Sequence, residues 1–141
     1  MSKAFFQRLE NNAHDDRLPL AEVMDNLCFN EQGLIPVIAQ DNATKAVLMQ
    51  AWMNREALNK TLHTRRMVYW SRSRNCFWEK GATSGHTQTL VSMSFDCDGD
   101  VILCQVQQKG AACHTGRPAC FYLEVEPEQQ QIRVLGDACP P

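Results

Sequence analysis

Residues 89–108 read TLVSMSFDCDGDVILCQVQQ, and their pattern decides the fold. Apolar and polar side chains alternate on both sides of Asp98-Gly99, as in two half-buried strands joined by a tight turn, so the stretch predicts an antiparallel hairpin. Working outward, CFYLEVEP (120–127) and QIRVLG (131–136) predict a second hairpin. MVYWSRSR (67–74) is rich in aromatic and β-branched residues and predicts a strand, whereas EKGATSGHTQ (79–88) has the glycine and hydroxyl content of a loop. Upstream, Leu34–Gln40 predicts a strand entered through a turn at Gln32-Gly33, and the apolar run up to Met53 suits a buried strand. Asn54 stands where a helix N-cap belongs, so a helix is expected from about Arg55 to Thr64. A short helix-like run, LAEVMDNL, precedes these elements in an otherwise charged and weakly patterned N-terminal stretch. The expected fold is α+β: a mostly antiparallel, barrel-like sheet with one main helix.

At 141 residues the chain has the length of one ordinary domain. Its net charge of -2 offers no general attraction to nucleic acid or to an acidic membrane, so any anion site must be local. The first 20 residues carry charges throughout and no long apolar core, which is unlike a secretory signal or a membrane anchor; the expected location is the cytoplasm. Seven cysteines are an odd number, and without an export signal reduced thiols, some of them metal ligands, are the better expectation than a disulfide framework.

Asp96, Asp98 and Asp100 alternate, so on a strand they would share one face while Cys97 points the other way. Three converging carboxylates repel one another unless a cation sits among them, and an all-oxygen site of this kind suits magnesium. A solvated hairpin tip would have the same composition. Cys97, Cys113 and Cys120 lack the paired spacing of structural zinc knuckles; as three thiolates they fit an open zinc site that leaves a position for water, with small buried hydrophobes as the alternative. Cys104, and with it Cys28 and Cys76, read as such hydrophobes, and Cys139 as an exposed spare. His114 follows Cys113 directly, and proton transfer is the role preferred for it over zinc ligation or a loop contact. His86 lacks such a neighbour. Arg72, Ser73 and Arg74, read as strand, would place both guanidinium groups on one face, and Lys80 leads into a loop where Thr83 and Ser84 offer donors to phosphate oxygens. Trp70 and Trp78 are candidates to stack on a base.

AWMNREAL, YWSRSRNCFWEKGATSGHTQ, DCDGD and QKGAACHTGRPACF together resemble the phosphoribosyl-AMP cyclohydrolases of histidine biosynthesis, over about residues 28–125. The resemblance implies a 1–27 N-terminal extension, a single domain over 28–141, and a hydrolase that opens the purine ring of 1-(5-phosphoribosyl)-AMP between N1 and C6. It implies zinc at Cys97, Cys113 and Cys120, and magnesium at Asp96, Asp98 and Asp100. It also implies an intertwined homodimer in which Cys97 joins Cys113 and Cys120 of the partner subunit. Two other classes stay open on the residues: a zinc nucleobase deaminase, whose H-x-E and P-C-x-x-C elements are missing, and a non-catalytic zinc-stapled module.

Overall fold

A computed structural model describes residues 3–139. Along the chain it forms α1 (Lys3–Leu9), α2 (Leu20–Asp25), β1 (Ile35–Asp41), β2 (Val47–Met53), α3 (Arg55–Thr64), β3 (Val68–Ser71), β4 (Cys76–Glu79), β5 (Gln88–Phe95), β6 (Ile102–Gln108), β7 (Leu123–Glu126) and β8 (Gln131–Val134). The architecture is α+β, with strands in the majority and short helices. β5 and β6 form the expected antiparallel hairpin, and β7 and β8 form the second.

The alternation in β5 contains one break that the register explains. Leu90 faces Val106, but the pairing then shifts, so that Ser92 faces Gln105, Met93 faces Cys104 and Phe95 faces Ile102. Val91 is the extra residue of a β-bulge and is 41% exposed. Because side chains alternate with a period of two, this single insertion rephases the strand. Leu90, Met93 and Phe95 thereby share the face of Val106, Cys104 and Ile102, all three of which are buried.

The main sheet has the order β2-β1-β6-β5. β1 is antiparallel to β2 but parallel to β6, with Val37 opposite Ile102 and Ala39 opposite Cys104. The sheet is open, which corrects the barrel-like expectation. Its edges are β2 and β5, and the segment before β3 reaches β5 through one isolated bridge, Arg66–Thr89, flanked by the bonds Leu90 N to Arg65 O and Met67 N to Gln88 O. The ladder stops there because Arg65 turns into the left-handed region (φ 65°) as the C-cap of α3, after which the four-residue strands β3 and β4 pair with each other. At the other end of α3, the Asn54 side chain accepts the Ala57 amide at 2.8 Å, a cap contributing about 1 kcal/mol.

The core runs from Ile35, Val37 and Ala39 through Met53, Leu58 and Tyr69 to Ile102, Cys104 and Val106. Phe5, Phe6, Met24 and Leu27 belong to the same cluster, so the N-terminal segment is part of the packing. Among the described residues no helix is long and apolar enough to cross a membrane.

Three polar side chains form one network across this core. The buried Tyr69 hydroxyl donates to Gln88 Oε1 at 2.6 Å, and Gln88 Nε2 donates to Gln108 Oε1 at 2.8 Å. Burial pushes the Tyr69 hydroxyl well above its ordinary pKa, which keeps it a donor. Tyr69→Phe strands the Gln88 oxygen without its buried donor, so unfolding by urea should show a loss of about 1–3 kcal/mol. An unchanged midpoint would mean that water replaces the hydroxyl.

Candidate active site

Hairpin geometry brings distant loops together at the open end of β5–β6. The loop before β5 and the segment after β6 face each other, with Lys109 N donating to Thr87 O at 2.9 Å. Gly81 (φ 81°) folds that loop back on itself so tightly that a Cβ there would strike the backbone of His86 and Thr87, which explains why glycine is needed. The His86 ring in turn covers Gly110.

Between the two loops lies a cavity of about 450 Å³. Arg74, Lys80, Thr83, Ser84, Cys113 and His114 line it, as do Trp78, Glu79, Cys76 and His86. The phosphate-binding and proton-transfer candidates of the sequence therefore meet in one place, with two exceptions. Arg72 and Ser73 do not line this cavity. Residues 72–75 form the turn between β3 and β4 and not a strand, so the expected common face of Arg72 and Arg74 does not exist. Arg72 stacks over Trp52 at 4.8 Å and lines a separate cavity with Trp70, Asn30 and Asn54. Ser73 stays exposed, its Oγ 3.4 Å from Ser71 Oγ.

His86, Glu79 and Cys76 were not singled out by the sequence. Cys76 is exposed and lines the cavity, which corrects its reading as a buried hydrophobe; Cys104 is buried as expected. The available signal for His86 was topological: a residue just before one strand of a hairpin must face residues just after the other. Cys139 is exposed, but its amide donates to Thr115 O at 2.8 Å, so the C-terminal segment crosses the Cys113–Gly116 loop.

Cys113 and Cys120 influence each other's ionisation. Burial works against ionisation of Cys113, but the Thr115 hydroxyl and amide, the Cys120 thiol and the Arg117 charge outweigh it and lower its pKa. The hydroxyl lies 3.1 Å from Cys113 Sγ. Cys120 is pushed up to about 11, first by burial and then by Cys113, with Lys80 opposing. The two thiols are thus shifted in opposite directions, Cys113 toward easier ionisation and Cys120 away from it. Lys80 donates to Ala112 O, next to Cys113, and lies over the Trp78 ring; burial lowers its pKa while the two thiols resist.

Cys97 is not with this pair. It sits at the turn end of β5–β6, whereas the chain leaves for Cys113 at the open end, a ladder of seven residues or roughly 20 Å away. Cys120 is held by a 2.7 Å bond from its amide to Leu48 O on β2, two strands from β6.

The three aspartates do converge, through the turn and not through a strand face, since β5 ends at Phe95 and β6 begins at Ile102. One carboxylate oxygen from each lies within 4.8 Å of the others; this is the sole group of three potential metal ligands from histidine, cysteine or acidic residues among the described residues. Burial disfavours the Asp96 charge, but donation from the Asp100, Val101 and Asp98 amides and from the Asp100 side chain lowers its pKa. Asp100 goes up, because it shares a hydrogen bond with Asp96, is partly desolvated, and faces the charges of Asp96 and Asp98. Crowded exposed oxygens with one carboxyl driven toward its protonated form fit a divalent cation, which removes the repulsion.

The family model described as phosphoribosyl-AMP cyclohydrolase matches residues 49–122. The phosphoribosyl-AMP cyclohydrolase of Dinoroseobacter shibae is 59% identical over 100 residues, covering 71% of this chain and 84% of that protein. The proteins of that name from Alcanivorax borkumensis (49% over 121 residues, 86% of this chain and 85% of the relative) and Hydrogenovibrio crunogenus (48% over 127 residues, 90% and 86%) extend the similarity toward the termini.

If Asp96 causes the raised Asp100 value, Asp96→Asn should return the Asp100 carboxyl toward the ordinary aspartate range in a carbon-detected NMR titration. An Asp100 titration that stays raised would locate the cause elsewhere.

Proposed function

The chain belongs to the phosphoribosyl-AMP cyclohydrolase family, and from that membership and the cavity just described we propose that it hydrolyses phosphoribosyl-AMP in histidine biosynthesis. The bond opened is N1–C6 of the purine ring, and the product is the formimino-carboxamide nucleotide. The observation that carries this reading is the meeting of Lys80, Thr83, Ser84, Cys113 and His114 around one cavity. Its volume falls within the range of small-ligand sites.

Cys113 and Cys120 hold two positions of a zinc site, and Cys97 of the partner subunit supplies the third. Bound zinc supplies a Lewis acid that brings the pKa of water toward neutrality. His114 accepts one proton from the attacking water and returns it to N1 as the C6–N1 bond breaks, and the proton left on the C6 hydroxyl passes to the exocyclic nitrogen as C6 becomes the carboxamide carbonyl. Thr83 and Ser84 donate to a phosphate, Arg74 adds charge at the cavity wall, and the Trp78 ring offers a stacking surface for the base. Lys80, already bonded to Ala112, fixes the segment that carries Cys113 and His114 while keeping positive charge beside them. Arg72 and Ser73 lie outside this cavity, so their contact with substrate requires its second phosphate to reach the β3–β4 turn. Asp96, Asp98 and Asp100 hold magnesium, whose charge offsets their mutual repulsion.

Two features support homodimer formation. The hairpin keeps Cys97 roughly a strand length from the point where the chain departs toward Cys113, so one chain does not complete the thiolate set. In addition, Leu123 opposes Val134 and Val125 opposes Ile132 on one face of β7–β8, and all four are more than half exposed, as an association surface requires. The substrate is a small soluble nucleotide, and we place the reaction in the cytoplasm.

Incubation with phosphoribosyl-AMP should give an ultraviolet change without ammonia; ammonia release would indicate deamination instead. His114→Ala should keep its zinc, measured by metal analysis, and lose roughly 10²–10⁴-fold in kcat. Unaltered kinetics would remove His114 from the proton path. Cys97→Ser and Cys113→Ser should each lack activity and zinc, yet a co-refolded mixture should regain both, because the heterodimer contains one intact thiolate set. A mixture as inactive as its parents would contradict the shared site.

A further inference from the structure

The aspartate turn is backed by the N-terminal segment, which lies outside the 49–122 family match. Three contacts define this backing. The Phe6 ring lies against Gly99, so closely that a Cβ on Gly99 would overlap Cε2 and Cζ of the ring. The Cys28 amide donates to Gly99 O at 2.8 Å, and Cys28 Sγ lies 3.5 Å from Asp98 O. Phe6 is itself fixed: it is buried, and it meets Phe5 edge to face with ring centroids 5.2 Å apart.

These contacts bear on the carboxylates through a short path. Gly99 (φ 67°) separates Asp98 from Asp100, and its amide donates to Asp96 O at 3.1 Å. The Asp100 amide donates to Asp96 Oδ1 at 3.0 Å. The residue under the Phe6 ring is therefore the one whose backbone sets where all three acidic side chains begin. A turn of exposed, mutually repelling carboxylates spreads apart unless something holds its backbone, and here the hydrogen bonds of the turn and of Cys28 are joined by an aromatic ring from α1.

We propose that Phe6 is a positioning residue for the cation site of Asp96, Asp98 and Asp100, acting through Gly99. The proposal rests on the reading of those aspartates as a magnesium site. It gives the first helix a role in divalent-cation affinity in addition to its share of the core.

The test uses the full-length chain and Mn²⁺ as a paramagnetic probe of the magnesium site, titrated by electron paramagnetic resonance with the thiol site kept saturated with zinc. Phe6→Leu keeps the apolar burial but withdraws the ring edge from Gly99, and should weaken Mn²⁺ binding several-fold. Phe6→Ala should weaken it by roughly 10-fold, the lower end of what lost support behind metal ligands costs. Leu58→Ala removes a fully buried core side chain on α3 and serves as the stability control; its Mn²⁺ affinity should match the parent. Parental affinity in Phe6→Leu would overturn the proposal, as would a loss in Leu58→Ala equal to that in Phe6→Ala. Asp98→Asn separates the two levels of inference. If the parent shows no Mn²⁺ site that Asp98→Asn removes, the magnesium reading itself fails and the role of Phe6 falls with it.

Discussion

The β5–β6 ladder sets the distance between two chemically different ends of this molecule. Backbone hydrogen bonding fixes the rise of each strand, so a seven-residue ladder is a rigid spacer that side-chain motion does not shorten. At its turn sit three carboxylates and one thiol; at its open end lies the cavity, lined by Cys76 and Cys113 and by His86 and His114. Parallel pairing with β1 places β6 in the interior of the sheet, with neighbours on both sides. Neither end is then free to swing toward the other, and the separation of Cys97 from Cys113 becomes an argument for association between chains.

Within the cavity, charge and burial are balanced by neighbours. Lys80 loses hydration and with it some affinity for its proton, while the thiols beside it favour the charged form. Thr115 gives Cys113 the hydrogen bonds that favour a thiolate, and Cys120 takes the opposite shift. The Lys80 charge and the Cys120 thiol thereby favour each other's ionised forms.

Much of this was legible in the sequence because it is local. Alternation identified both hairpins, Asn54 located the start of α3, and the acidic turn was visible at Asp98-Gly99. What escaped depends on longer range or on a change of period. The parallel β1–β6 pairing joins segments more than 60 residues apart and leaves no local mark. The period-two argument for Arg72 and Arg74 was carried past Ser71, where the strand ends, and so put on one face two arginines that in fact line two cavities. In α1, the adjacent Phe5 and Phe6 carry no helical repeat, so their burial depends on the partners that the sheet provides.

Val91 shows how unevenly such a chain tolerates changes in length. In the loop before β5, one residue more or fewer is absorbed by backbone dihedrals, and at the bulge an extra residue is left unpaired, but in the regular part of the strand the count of residues determines which way every later side chain points. Paired without the bulge, the strand would set Ser92 against Cys104 and Ser94 against Ile102 and turn Met93 and Phe95 outward, whereas deletion of Val91 itself leaves Ser92 opposite Gln105 and the rest of the register unchanged. Val91 is thus the one position of the strand where a single deletion keeps inside and outside; from Ser92 to the acidic turn one residue more or fewer inverts them and two preserve them.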